Sequence, residues 1–172
     1  ELLFSAGKHA EAEPFLREAY EKRKKVLGTS HPLALASIDG LAGVLEAEAR
    51  WSEAEPLRRH AASSLAQVNN REGIESVTAR IQLGRVLLEL GRLAEAEKEL
   101  IAAHESTAAD GPGMDDAEQR CARLLVQLEE QQVREAGLGA LDLRRQHGFL
   151  AHVRVYEQFR AGEQSGDAVE PA

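Results

Sequence analysis

The chain has 172 residues, 43% hydrophobic but only 4% aromatic, so its core must come from Leu, Ala, Val and Ile, a composition that suits helices better than sheets. A formal net charge of -8 at pH 7 and an isoelectric point near 5.3 argue against nucleic acid or an anionic membrane as the main partner and favour a basic one. The single cysteine, Cys121, has no internal disulfide partner, and the sequence shows neither a signal-peptide pattern nor an apolar run long enough to span a bilayer, which implies a reducing, cytoplasmic setting.

Leu2, Leu3 and Phe4 followed by Gly7 read as the last turns of a helix and its stop, so the chain opens inside a helix and reads as a piece of something longer. From about Glu11 to Leu27, Ala12, Phe15, Leu16, Ala19, Val26 and Leu27 keep to one helical face and Arg17, Glu18, Glu21, Lys22 and Lys24 to the other. Gly28-Thr29-Ser30-His31-Pro32 breaks that helix, and His31 is placed to cap the next one. There Ile38, Leu41, Ala42 and Leu45 fall at i, i+3, i+4 and i+7, the stripe of a helix that faces a neighbour. Ser52 with Glu55 reads as a capping box for a return helix from about Glu53 to Gln67, with Trp51 packed back on its own hairpin.

After the polar loop Asn69 to Gly73, Leu83, Gly84 and Leu87 renew the stripe, Gly91 turns the chain, and Ala96, Leu100 and Ala103 line a return helix reaching about Thr107. Ala109 to Gly113 is a strong loop signal. Cys121, Leu124, Leu125 and Leu128 form the inner face of a further helix, Gln131-Gln132 is its turn, and a last return helix is expected from roughly Glu135 to Gln146. Phe149, Val153, Tyr156 and Phe159 have helical spacing, which suits a helix that caps the array or, alternatively, docks on a partner. The expected organisation is a repeat array over 1–147, a capping helix over 148–161 and a disordered acidic tail over 162–172.

The repeat is explicit. Glu11-Ala12-Glu13-Pro14 returns as Glu53-Ala54-Glu55-Pro56 and as Glu95-Ala96-Glu97, so Pro14 to Pro56 and Ala54 to Ala96 are both steps of 42 residues. A fixed period of this size means one supersecondary unit stacked several times around a continuous apolar seam. One slot breaks the pattern: Arg58 stands where the first unit has Leu16 and the third has Leu100, its stem expected to cover the gap while its charge stays in water.

Together with Gly7, Phe15, Ala19, Trp51, Ala61 and Ala103, these small and large positions resemble the tetratricopeptide repeat pattern, and specifically its 42-residue, kinesin-light-chain-like form of bacterial type. That form carries a Glu-Ala-Glu-Pro-Leu return helix and a Leu-Gly-x-x-His-Pro linker, here Glu53 to Leu57 and Leu27 to Pro32. The resemblance covers residues 1–108 well and 117–146 loosely. It implies an all-α fold, a right-handed superhelix of antiparallel helix hairpins with about three and a half repeats, and a concave wall made by the first helix of each hairpin. Its inward positions fall on Phe4, Asp39, Gly43, Glu46, Ile81, Arg85, Leu88, Glu89, Ala122, Val126, Glu129 and Glu130. Where that form usually has paired asparagines able to grip a peptide backbone, this chain has Asp39-Gly40 and Ile81-Gln82.

The expected partner-binding groove is therefore Asp39, Gly43, Glu46, Ile81, Arg85, Glu89, Val126 and Glu130, a small or apolar floor with a mostly acidic rim suited to a Lys- or Arg-bearing segment. The plainer alternative is that these carboxylates are an ordinary solvated face. No catalytic, cofactor or metal site is expected. His9, His31, His60, His104, His147 and His152 never fall at metal-ligand spacing, and Cys121 occupies a core slot with no base assigned beside it. The leading expectation is a non-catalytic scaffold for a protein or peptide, without nucleic-acid or membrane partners. A second is the C-terminal regulatory arm of a larger bacterial signalling enzyme, such as a serine/threonine kinase, and a third is self-association through the end faces or the segment 149–160.

Overall fold

The computed structural model describes residues 9–68, 73–108 and 116–136. The helix exit at Gly7, the Ala109 to Gly113 loop, the return helix expected after 136, the capping helix of 148–161 and the tail of 162–172 lie outside the described residues. Within them the chain is α1 (His9–Leu27), α2 (Pro32–Ala47), α3 (Trp51–Val68), α4 (Ile74–Glu89), α5 (Leu93–Ala108) and α6 (Asp116–Ala136).

The linkers explain the helix ends. His31 is extended at φ -70° and ψ 139°, and its Nδ1 accepts from the Leu33 backbone N at 3.2 Å, which caps α2 while Pro32 occupies the first turn, where its missing N–H is no loss. α2 and α4 end in the same way one period apart. Ala49 has φ 56° and Gly91 has φ 69°, and the next residue closes each turn, Arg50 N on Leu45 O at 2.8 Å and Arg92 N on Leu87 O at 2.9 Å. The left-handed conformation suits Gly91 and strains Ala49. α3 starts earlier than the capping-box reading placed it: its first turn closes on the Arg50 carbonyl, Ser52 is exposed, and the Arg50 guanidinium holds Glu53 instead. α6 runs unbroken through Gln131-Gln132, so the turn expected there is a correction; Gln, Val, Arg, Glu and Ala contain no helix breaker.

Each helix packs against the next, giving the antiparallel hairpins α2–α3 and α4–α5 with α1 and α6 on either side. Ala54, Ala96 and Ala103 are fully buried, as are Ile38, Leu41, Leu45, Leu83, Leu87 and Leu100 to within about 2%, so the inward register is the one the repeat implies. Gly84 is needed for close approach, since a Cβ there would lie 2.7 Å from Cγ of Leu100. The seam is not continuous, however. One apolar cluster centres on Ile38, Leu41 and Leu45 and another on Leu83, Leu87, Leu100 and Leu128, and half-buried Leu65 packs against both. Phe15, Val26 and Leu27 are also exposed rather than inward; among the described residues α1 has α2 as its main neighbour, and the buried stripe of α1 narrows to Ala12 and Tyr20 with Leu16 beside them.

A second set of contacts repeats with the period. Glu13 on α1 accepts from Arg50 Nη1 at 2.5 Å and Arg17 Nη2 at 2.7 Å. One repeat on, Glu55 accepts from Arg92 Nη1 at 3.3 Å and Arg59 Nε at 2.6 Å. The third member, Glu97, accepts instead from the neutral Gln132 at 3.1 Å. Each clasp ties one return helix to the linker or helix of the following unit. Hydrogen bonds from Arg50 hold the Glu13 and Glu53 carboxyls below the ordinary glutamate value, and Arg92 does the same for Glu95.

Two outcomes follow from these turns and clasps. Ala49→Gly relieves a left-handed alanine and is expected to raise unfolding stability by about 0.5–1 kcal/mol, whereas Gly91→Ala lowers it by about 1–2 kcal/mol; urea titration reads both, and equal effects would contradict the shared turn. Because the Glu13, Glu53 and Glu95 carboxyls are depressed when folded, their contribution is present above about pH 4.5, the ordinary glutamate value, and is lost as pH falls through the lower folded values. Thermal melts of Arg50→Ala with Arg92→Ala should lie below wild type at pH 7 and converge with it in acid, and parallel acid limbs would show that the clasps carry none of the pH dependence.

Candidate functional site

The first helices of three successive hairpins, α2, α4 and α6, carry all the residues expected in the groove. Asp39, Arg85, Glu89 and Glu130 are exposed, Gly43 and Val126 are half-buried, and Ile81, Leu88 and Glu46 are buried. Three of them are drawn into one cluster by a residue that was expected to face water. Arg58 on α3 is 3% exposed. It donates through Nε to Glu46 Oε1 at 2.5 Å and through Nη1 to Gln82 Oε1 at 2.8 Å and to the Asp39 carboxylate. Arg85 on α4 reaches across to the other Glu46 oxygen. The cluster spans α2, α3 and α4, and its two arginines balance its two carboxylates. Burial of Arg58 therefore corrects the expectation of a solvated charge: its neighbours supply the acceptors that water would otherwise have to supply.

The surrounding geometry is unlike that of the next joint. α4 packs more closely on α6 than on α2, which it meets through the Arg85–Glu46 pair. A cavity of about 440 Å³ opens between α2 and α4, over α3. Leu35, Ala61, Leu65, Ile74 and Ala79 give it apolar walls, and Asp39, Gln82, Glu75 and the Arg58 side chain give it a polar side. Gly43, Ile81, Glu89, Val126 and Glu130 take no part in the ion-pair cluster. The sequence marks Gln82 only as a departure from the paired asparagines, not as an acceptor for Arg58, and does not mark the cavity walls. Its one available signal was the broken slot at 58, together with Gln82 standing a period beyond Gly40, which itself meets Leu16.

Other chemistry is sparse. Among the described residues no group of three or more His, Cys, Asp or Glu side chains could hold a metal ion, and no described helix is long and apolar enough to cross a membrane. His31 caps α2, His60 Nε2 lies 3.2 Å from the Thr29 carbonyl oxygen, and the buried Cys121 thiol donates to the Leu100 carbonyl oxygen at 3.2 Å.

Stacked helix hairpins with a fixed period define an α-solenoid, a superhelix of the tetratricopeptide type. Residues 1–67 match the tetratricopeptide repeat family. BtubC (BKLC) from P. vanneervenii has a similar structure, with a TM-score of 0.74 at 16% identity over 99% of this chain and 63% of that one. Two structures of a Podosopora anserina protein described as a kinesin light chain with nearly identical TPR-like repeats are also similar, one of them a single-substitution variant. Their TM-scores are 0.64 and 0.63 at 19% and 18% identity, over 92% and 96% of this chain and 88% and 92% of theirs. No curated protein matches the sequence. The chain thus has a tetratricopeptide-like, kinesin-light-chain-like fold, with the family's sequence pattern matched over residues 1–67, and this fold is a general scaffold for protein interactions.

Arg58→Ala would leave Glu46, whose side chain is 4% exposed, with Arg85 as its remaining partner in the cluster. A loss of about 3–5 kcal/mol is expected, while Arg58→Leu with Glu46→Leu restores an apolar slot and should come within about 1 kcal/mol of wild type or exceed it. Urea unfolding of both variants checks this, and a near-neutral single substitution would mean that the cluster is effectively solvated.

Proposed function

We propose that the wall formed by α2, α4 and α6 binds an extended or helical segment of a partner protein, that the segment is basic, and that the chain performs no catalysis. The observation that carries the reading is the state of the charges on that wall. Its cations at Arg58 and Arg85 are engaged by Asp39 and Glu46. Glu89 and Glu130 are exposed, and among the described residues neither is ion-paired. The carboxylates of Glu89 and Glu130 then present negative charge to a ligand, beside half-buried Gly43 and Val126. Such a surface attracts Lys and Arg at long range and offers apolar area for affinity. A non-catalytic role fits His31, His60 and Cys121, which are engaged in local structure. Cys121, buried and in no disulfide, also suits a reducing, cytoplasmic setting.

A fluorescein-labelled twelve-residue peptide of alternating Lys and Leu probes this directly by anisotropy at low salt. Glu89→Lys with Glu130→Lys should weaken it by about tenfold or more, equivalent to about 1.4 kcal/mol, with an unchanged melting temperature. Equal affinity for wild type and the double variant would remove the proposed role of these carboxylates.

A further inference from the structure

We propose that the cavity over α3 is a binding site for a small uncharged molecule with an apolar body and a carbonyl acceptor, the acceptor taking the N–H groups of Arg58 Nη2. The site does not rest on the wall binding a partner segment. What carries it is the set of donors on one side chain. A guanidinium presents N–H groups on three nitrogens and accepts nothing. In Arg58, Nε donates to Glu46, and Nη1 donates to Gln82 and Asp39. Nη2 has no hydrogen-bond acceptor among the described residues, although the residue is only 3% exposed and lines the cavity. A buried donor without an acceptor costs free energy, so an acceptor delivered there gains more than it would at the surface. Glu46, Asp39 and Gln82 hold the guanidinium from its other sides, which sets the direction of Nη2 before anything binds.

The remaining lining selects the rest of the molecule. The cavity, about 440 Å³, is within the range of small-molecule sites. The Arg58 cluster lies at its Asp39 end and the linker residue Ser30 at its Pro32 end, and Leu35, Ala61, Leu65 and Ala79 make apolar walls between them. Water would satisfy Nη2 but gain nothing from these walls, whereas a ligand with an apolar body matches both. The charges favour an uncharged one. Arg58 and Arg85 are balanced by Asp39 and Glu46, and Glu75 is engaged as well. A carboxylate would add negative charge beside a cluster that is already balanced, in a chain of net charge -8. A cation would approach a guanidinium whose carboxylates are taken. Two further groups on α4 suit an acceptor. Gln82 gives Oε1 to Arg58, which leaves Nε2 as a donor, and the Thr78 hydroxyl one turn earlier makes no hydrogen bond among the described residues.

The probe is prodan, an uncharged naphthalene ketone whose emission moves to the blue in apolar surroundings, titrated with the full 172-residue chain. Its displacement by four compounds of one shape then reads the chemistry: acetylnaphthalene with a ketone, ethylnaphthalene with no acceptor, naphthoate with a negative charge and naphthylmethylammonium with a positive one. Prodan is expected to bind, and acetylnaphthalene to displace it at least about tenfold more tightly than the other three. Thr78→Trp, which places an indole in the cavity from a half-buried position, should weaken the ketone by at least about tenfold. Arg58→Leu with Glu46→Leu should make the ketone and the hydrocarbon equal. Circular dichroism melts establish that each variant is folded, and Thr78→Trp decides the location even where the double variant is not. Glu89→Lys with Glu130→Lys should leave the ketone's affinity unchanged, so the site and the binding wall stand or fall separately. No blue shift with wild type would overturn the site, as would equal binding to wild type and Thr78→Trp. A hydrocarbon as tight as the ketone on wild type would remove the role of Arg58, and naphthoate binding tightest would overturn the assignment of an uncharged ligand.

Discussion

Close approach of helices at small side chains is the constraint on which this architecture rests. Ala54 and Ala96 have no exposed surface, and Gly84 leaves no room for a Cβ against Leu100. A larger residue at any of these points would push a return helix off its partner and change the angle at which the following hairpin is presented. In a repeat array such an error is not confined to one place, because each unit is positioned by the one before it. The period in the sequence is therefore a period of contact distances, and the recurrence of alanine at a step of 42 residues is its most economical trace.

Small residues allow approach without fixing how units rotate against one another. That task falls in part to the clasps. Glu13 and Glu55 each receive an arginine from the linker of the following unit, and the arginine also holds the first turn of its own return helix through Glu53 or Glu95. A single exposed ion pair contributes little, but a carboxylate shared between a local and an inter-unit arginine restrains both at once. The third clasp has a neutral donor, Gln132, at 3.1 Å. The joint it spans relies correspondingly more on apolar packing, which α4, α5 and α6 supply in full through Cys121, Leu125 and Leu128.

The residues that repeat were legible in the sequence and those that depart from the repeat were not. Helix order, the inward faces of α2 through α5, the His31 cap and the Gly91 turn all follow from local rules of spacing, capping and backbone preference. Errors arose where tertiary surroundings outweighed a local signal. Ser52 and Glu55 satisfied the capping-box spacing, yet the helix began one residue before Ser52 because Arg50 could cap and clasp together. Gln131-Gln132 was read as a turn because the period demanded one, although nothing in those side chains breaks a helix. Helical spacing puts Phe15 and Val26 on the inward face, but among the described residues α1 packs mainly on α2 and both are exposed. Local rules leave the Arg58 charge in solvent, since its acceptors lie 12, 19 and 24 residues away on two other helices.

Arg58 also separates two kinds of departure from a repeat. A neutral drift in sequence tends to be absorbed by local relaxation, leaving the unit-to-unit geometry intact. The substitution at this slot instead recruits acceptors on both neighbouring first helices, consumes two of the wall's carboxylates, and coincides with a divided core. A leucine would offer none of these links and would join the two apolar clusters, which is what the equivalent slot does through Leu100 one unit later. The array thus gives up apolar continuity at one joint and obtains there an opening with fixed polar groups on one side. Stability by itself does not favour that exchange, because apolar packing at the same position is at least as good. What the cluster does supply is a fixed polar geometry, since its acceptors on two helices hold Arg58 and one another in place.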